Sequence, residues 1–411
     1  MATAARSSGV RSEDDSGLKH MTQPVVSSGV ENDAVARLLA RAEAVADQWA
    51  ELAAETDATP AFPTRAFERI AEADLLAAPV SQDLGGAGLD GSAATRSELL
   101  TLLKTVGRGD LSVGRLYEGH VNALQLIQTF GRPEQLAVWA ADACARQLLF
   151  GVWNTEAGDG VKLFPLEGGR FRLVGAKTFA SGAGNVQRPI VTGTLPDGGW
   201  QMVVVPADEV NVAIDPSWWR PLGMQASTSY KIDFSGVELG AEYLLGEPGD
   251  YFLQPWFFGG AIRFAAVQLG GAEALLNETR LFLQSLDRTG DPYQQARIAE
   301  GAIAIESGNL WLRGAAQAVD IGPERDTRSD VERIVSYANM TRLAIETICL
   351  DVIRLTERAV GARGLLQPLP IERIIRDLTL YLRQPAPDAA LASVGRMMLE
   401  RAAPVHEVWR D

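Results

Sequence analysis

Apolar residues recur three and four positions apart through AVARLLARAEAVADQWAELAAE and TRAFERIAEADLLAA, and again through SELLTLLKTVG and VGRLYEGHVNALQLIQTF. That spacing puts one apolar stripe on each helix, so residues 31–147 are predicted to form a helical domain. DLGGAGLDGS, at 83–92, interrupts the pattern and is too rich in glycine for a helix, so it reads as an ordered loop. At Gln147 the period changes. From 148 to 247, the runs RFRLVGAKTFASG, RPIVTGTL, WQMVVVPA, VNVAI and SYKIDFSGVEL are β-branched and aromatic, and the turn signals EGG, PDGG and FSG separate them. No helical pattern is interleaved to carry parallel crossovers, so an antiparallel β-barrel or sandwich is expected. Between 248 and 411 the helical period returns, as in AIRFAAVQLGGAEALLNETRLFLQSL. Asp291-Pro292 opens the next helix, with Asp as N-cap and Pro at the first helical position. RSDVERIVSYANMTRLAIETICLDVIRLTERAVG is long enough to span a bundle, and two shorter helices follow, near PIERIIRDLTLYL and APDAALASVGRMMLERA. The expected fold is α+β: helices, a middle β domain, then an antiparallel four-helix bundle.

Composition narrows the functional classes. The 411 residues are 46% hydrophobic and 22% charged, enough for a large core. A formal charge of −14 argues against a nucleic-acid partner, though a local nest of backbone N–H groups can still hold a phosphate. Cys144 and Cys349 are too few for a disulfide framework. The three histidines, His20, His120 and His406, form no cluster with metal-ligand spacing, so no metal is expected. No apolar stretch reaches membrane-spanning length. Residues 1–30, rich in Ser, Gly, Thr and Ala, have no apolar signal-peptide core; they are read as a disordered tail in which Met21 is a second candidate start. A cytoplasmic enzyme is the resulting expectation.

Five segments then carry a resemblance: PVSQDLGGAGL, NTEAGDG, LVGAKTFASGAG, LGMQASTSYKIDFSGVEL followed by LLGEPGD, and VGARGLLQPLPIERIIRDLTLYL. In this order and spacing, over roughly 35–400, they resemble the acyl-CoA dehydrogenase superfamily. The resemblance implies a flavin, FAD first and FMN second, between the β domain and the bundle. Thr155 and Ser181 match the two positions that hydrogen-bond the isoalloxazine, with the hydroxyl of Ser181 beside N5. Phe179 matches an aromatic stacked on the ring. Gly361 and Gly364 match a loop at the cofactor's adenine–pyrophosphate end that reaches a neighbouring subunit, which implies a homodimer or a dimer of dimers. A helix C-cap is the alternative use of these glycines. The family's Arg-x-x-Phe-Gly segment is represented here by DRTGDPYQQ, in which Arg288 and Gln295 are the candidate equivalents. Arg263 and the pair Arg376-Asp377 match family positions too, with ion pairs inside the bundle as the alternative reading.

The departures concern the base. Family dehydrogenases remove an α-proton with a carboxylate while hydride passes to N5, and that base must reach the proton. The usual position holds Pro385, and the known alternative position, just before Arg263, holds Ile262. Asp388 is the remaining candidate base, against its reading as a helix cap. NTEAGDG is also shorter than the family loop and lacks a hydroxyl that would contact the pyrophosphate.

Three functions stay open. The main reading is an FAD-dependent oxidoreductase acting on an acyl thioester or related small substrate, with an electron acceptor as partner. The alternative is a flavin-dependent monooxygenase, which uses reduced flavin from a partner reductase together with O2 and has no α-proton to remove. There His120 becomes a candidate active-site residue, against its use in helix packing. A non-catalytic flavin-binding homologue is the third.

Overall fold

The computed structural model describes residues 27–58, 61–92, 94–318 and 328–408. Most of the tail expected at 1–30 lies outside these residues. The first helix begins at Ser27, four residues earlier than its apolar period suggested.

The N-terminal domain consists of α1 (Ser27–Ala58), α2 (Thr64–Glu72), α3 (Arg96–Gly109), α4 (Leu111–Phe130) and α5 (Pro133–Cys144). Asp110 starts α4 as its N-cap, accepting the Val113 N–H at 2.9 Å. The middle domain holds ten strands: β1 (Phe150–Trp153), β2 (Lys162–Pro165), β3 (Arg170–Val174), β4 (Ala176–Ala180), β5 (Arg188–Thr194), β6 (Trp200–Val204), β7 (Ala213–Asp215), β8 (Tyr230–Asp233), β9 (Glu238–Gly240) and β10 (Leu244–Leu245). They form a seven-stranded sheet, ordered β10-β6-β5-β2-β3-β9 with β1 beside β5, and a three-stranded sheet, β4-β8-β7.

The larger sheet is mixed rather than antiparallel. β1 runs parallel to β5 from Phe150↔Arg188 to Trp153↔Val191. The crossover that makes this possible is built from strands β2 to β4, so the absence of helical periodicity did not exclude a parallel pair.

The C-terminal region comprises α6 (Trp256–Ser285), α7 (Pro292–Ala318), α8 (Arg328–Gly364), α9 (Pro370–Tyr381), α10 (Pro387–Glu400) and the short α11 (Val405–Val408). Asp291 caps α7 as expected, accepting the Tyr293 N–H at 2.9 Å. One buried apolar cluster runs from Leu38 in α1 through Phe234 in the β domain to Leu382 after α9, joining the three parts.

Two glycines fix how closely the helical domain meets the bundle. A Cβ on Gly107 of α3 would lie 2.2 Å from the Val267 carbonyl oxygen, and one on Gly270 of α6 would lie 2.0 Å from that of Lys104. The α3 and α6 backbones therefore touch, leaving no space for a methyl group.

Candidate functional site

The site is assembled around an irregularity in β4. Its pairing with β8 steps from Lys177↔Ile232 to Ala180↔Tyr230, which puts one extra residue in β4. Phe179 absorbs the extra residue with φ +51. Such a bulge re-aims side chains. Here the Phe179 ring is left 49% exposed while Ala180 and Ser181 turn inward.

The structure brings three of the expected cofactor residues together. Thr178 N–H donates to the Thr155 carbonyl at 2.9 Å, and Trp153 Nε1–H donates to the Ser181 carbonyl at 2.9 Å. The segment from Trp153 to Thr155 thus lies beside the end of β4, with Thr155 exposed and Ser181 nearly covered. Lys177, fully buried, anchors this segment by donating to the Asn154 carbonyl at 3.0 Å and to Glu156 at 2.6 Å, with the Trp200 ring 4.9 Å away. Burial pushes its ammonium below the usual lysine range, and Glu156 opposes that shift.

Across from Ser181 lies a turn between β7 and β8 that carries two more serines. Ser181 Oγ is 2.9 Å from Ser229 Oγ, and Ser229 Oγ is 2.8 Å from Ser227 Oγ. Ser227 Oγ donates to the Met224 carbonyl at 2.8 Å. The Gly182 N–H donates to the Ser227 carbonyl at 2.8 Å, tying the two turns together. Met224 and Thr228 both have positive φ, so the turn needs an external anchor. Asp377 of α9 supplies it by accepting the Met224 N–H. Burial and the nearby Asp110 push the Asp377 carboxyl up to about 7, while the Met224 N–H and Arg373 pull it down.

Aromatic rings border this patch. Phe179 meets Trp218 edge-on at 4.8 Å and Trp219 at 5.9 Å. Next to it, Thr228 Oγ1 and Trp219 Nε1 are buried without a hydrogen-bond partner in the protein. The serine trio, Lys177 and Asp377 were not singled out in this role from the sequence. LGMQASTS was visible as a motif, but only the fold shows which of its hydroxyls meet Ser181.

The remaining candidates lie elsewhere. His120 is fully buried, with Nε2 2.8 Å from the Leu76 carbonyl and Nδ1 accepting the Phe150 N–H at 3.1 Å. This arrangement fixes the neutral tautomer with its proton on Nε2, and burial lowers the ring's pKa to about 4. Both nitrogens are spent on backbone, so the packing reading replaces the catalytic one. Asp388 is exposed in the first turn of α10, whose N-cap is Ala386, so it is neither an inward-facing base nor the cap itself. Arg288 is exposed in the turn between α6 and α7. Gly361, with φ +59, and Gly364 lie at the end of α8. Gln294 Nε2 of α7 reaches the Ala359 carbonyl of α8 at 3.5 Å, so these three residues share one end of the bundle. Arg376 pairs with Asp57 at 2.6 Å and Glu372 at 2.8 Å, and it also donates to the Leu222 carbonyl at 3.3 Å, in the turn whose Met224 N–H Asp377 accepts.

A cavity of about 510 Å³ opens between α3, α4 and α6, lined by Leu99, Asn122, Gln125, Trp256, Ile262 and Arg263 among others. Arg263 donates to Gln125 Oε1 and, at 2.5 Å, to Asn122 Oδ1. Ile262 is an apolar, buried part of the wall. Pro385 is exposed, and its carbonyl accepts from Arg342. The only carboxylate among the cavity's lining residues is Asp90, which accepts from the Ser92 N–H and Thr95 Oγ1. Helix α4 is shared by cavity and serine trio. Leu116, near Gly182, and Asn122, in the cavity, are six residues apart, about 9 Å along the axis.

Among the described residues, no helix is long and apolar enough to cross a membrane, and no group of His, Cys, Asp and Glu could hold a metal ion.

Known proteins supply the wider context. The family model for the acyl-CoA dehydrogenase N-terminal domain matches residues 34–147, and that for the C-terminal domain matches 262–382. A dibenzothiophene monooxygenase of Mycolicibacterium goodii is 25% identical over 394 residues, covering 87% of this chain and 92% of its own. The mitochondrial short-chain specific acyl-CoA dehydrogenase of Bos taurus is 25% identical over 345 residues, covering 79% of this chain and 80% of its own. The crystal structure of FMN-bound TdsC from Paenibacillus sp. A11-2 superposes with a TM-score of 0.82 at 23% identity, covering 91% of this chain and all of that one. With both family domains in place and the helix–sheet–helix order around them, the chain belongs to the acyl-CoA dehydrogenase superfamily.

Proposed function

We propose that this protein is a flavin-dependent monooxygenase that takes reduced flavin from a partner reductase and uses O2 to oxygenate a small molecule. One observation carries the reading: both family positions for the α-proton base lack a proton acceptor, with Ile262 an apolar part of the cavity wall and Pro385 on the surface. A dehydrogenase cannot act without that base. An oxygenation needs none. A bovine acyl-CoA dehydrogenase is also a relative, but the one carboxylate lining the cavity among the described residues, Asp90, is taken up by the Ser92 N–H and Thr95 Oγ1.

The residues around Ser181 fit a flavin ring. Phe179 and Trp218 offer exposed aromatic surface to a flat ring, and Thr155 and Ser181 lie beside it. Thr228 Oγ1 and Trp219 Nε1 are unpartnered polar atoms next to it. Buried polar groups ordinarily find a partner, and a heteroaromatic edge would supply one. FMN is favoured over FAD: the loop at 154–160 lacks the hydroxyl for a pyrophosphate, and TdsC is FMN-bound. When bound, reduced flavin supplies the two electrons that activate O2.

The protein's own groups do the rest. The Trp153 Nε1–H and the Gly182 N–H hold the Ser181 turn in place. Asn122, Gln125 and Arg263 give the cavity a polar wall, while Leu99, Ile262 and Trp256 receive the apolar body of the substrate. Arg288, Gly361 and Gly364 lie together at the bundle end, where the resemblance places a neighbouring copy in a homo-oligomer.

Oxygen labelling tests the reading. Protein supplied with FMN, a flavin reductase and NADH under 18O2 should transfer one labelled atom to a member of a panel of aromatic sulfides and heterocycles. Labelled product that forms equally without the protein would remove the proposal.

A further inference from the structure

The serine trio has a fixed proton order. A hydroxyl carries one proton and two lone pairs. Ser227 Oγ lies 2.8 Å from the Met224 carbonyl, which can only accept, so the Ser227 proton is committed there. Ser229 must then be the donor in its 2.8 Å contact with Ser227. Its single proton is now spent, so Ser181 must donate in its 2.9 Å contact with Ser229. The Ser181 hydroxyl therefore has only a lone pair, not a proton, to offer any further partner. All three serines are at least nine-tenths buried, which limits the water available to scramble that order.

We infer that this chain of hydroxyls makes the site selective for reduced over oxidised flavin. The inference rests on the flavin reading above. In the oxidised ring N5 presents a lone pair and needs a donor; in the reduced ring N5 carries a hydrogen and needs an acceptor. Ser181 with its proton directed at Ser229 suits the reduced ring and sets two lone pairs against each other with the oxidised one. Selectivity of this kind lets a two-component enzyme capture reduced flavin from a reductase and release the oxidised form. Ser227 and Ser229 act here as positioning residues, since they set the polarity of Ser181 without facing the ring.

The test measures binding and potential rather than turnover. Dissociation constants for oxidised FMN in air and for photoreduced FMN under anaerobic conditions are measured by titration calorimetry for wild type, Ser229→Ala and Ser227→Ala. Wild type should bind the reduced form about tenfold more tightly, the span of one hydrogen bond made or lost. That ratio makes the bound flavin's midpoint potential about 30 mV more positive than that of free FMN. Ser229→Ala removes the acceptor of the Ser181 proton. Ser227→Ala lets Ser229 reverse and donate to Ser181. Both variants should tighten oxidised FMN binding severalfold and lower the potential toward that of free FMN. If flavin binds but neither variant changes the ratio, the polarity inference falls while the flavin reading stands. If neither form of the flavin binds wild type, both fall.

Discussion

The Asp377 carboxylate, on a bundle helix, accepts the backbone N–H of Met224 in the β domain. This contact ties α9 to the turn that carries Ser227 and Ser229, so the geometry at Ser181 depends on a residue outside the β domain. Removing the acceptor would leave a buried N–H unpaired, at a cost of about 1–3 kcal/mol. Asp377→Ala should lower unfolding stability by that amount and weaken FMN binding. Asp377→Asn keeps an acceptor oxygen and should stay close to wild type. Urea unfolding and flavin titration check both; an Asp377→Ala protein that matches wild type in the two assays would remove this role.

The α3–α6 contact predicts opposite signs for two glycine substitutions. Alanine is the better helix former by about 1 kcal/mol, which favours Gly→Ala wherever there is space. Gly395, exposed in α10, has nothing within 4 Å of an added Cβ, so Gly395→Ala should be neutral or stabilising. At Gly270 the Cβ would meet the Lys104 carbonyl at 2.0 Å, and overpacking of this kind costs about 1–3 kcal/mol. Gly270→Ala should therefore lower the thermal midpoint; a rise would mean that the helices do not touch there.

His120 contributes a pH dependence of known sign. Its folded pKa of about 4 lies below the ordinary 6.5, so the unfolded chain binds the extra proton. The resulting stability is complete above pH 6.5 and is lost as pH falls toward 4, up to roughly 3 kcal/mol at 1.36 kcal/mol per unit. Asp377, with its raised pKa, works in the opposite direction over an overlapping range. The informative quantity is therefore the difference in slope between wild type and His120→Gln. Equal slopes between pH 6.5 and pH 4 would show that the ring does not titrate as described.

Sequence pattern alone reached the three-part architecture, because helical and strand periods change sharply at Gln147 and again before α6. Thr155, Phe179 and Ser181 were singled out by the family resemblance rather than by the pattern, and the Thr178 N–H bond to the Thr155 carbonyl is what shows their segments side by side. The pattern missed the parallel β1–β5 pair, since a crossover made of strands leaves no periodic signature. It missed the serine trio, because a bulge at Phe179 and two positive-φ residues, Met224 and Thr228, decide which hydroxyls meet. For His120, residue type suggested chemistry, while the Phe150 N–H and Leu76 carbonyl that occupy its ring come from segments distant in the chain.

Ile262 and Pro385 leave the protein without a group at either position that can take an α-proton. Anaerobic mixing of the flavin-loaded protein with saturated acyl-CoA thioesters of graded chain length, followed by flavin absorbance, tests this directly. The oxidised flavin band should persist with every thioester. Bleaching of the band with stoichiometric formation of an enoyl-CoA would overturn the monooxygenase reading.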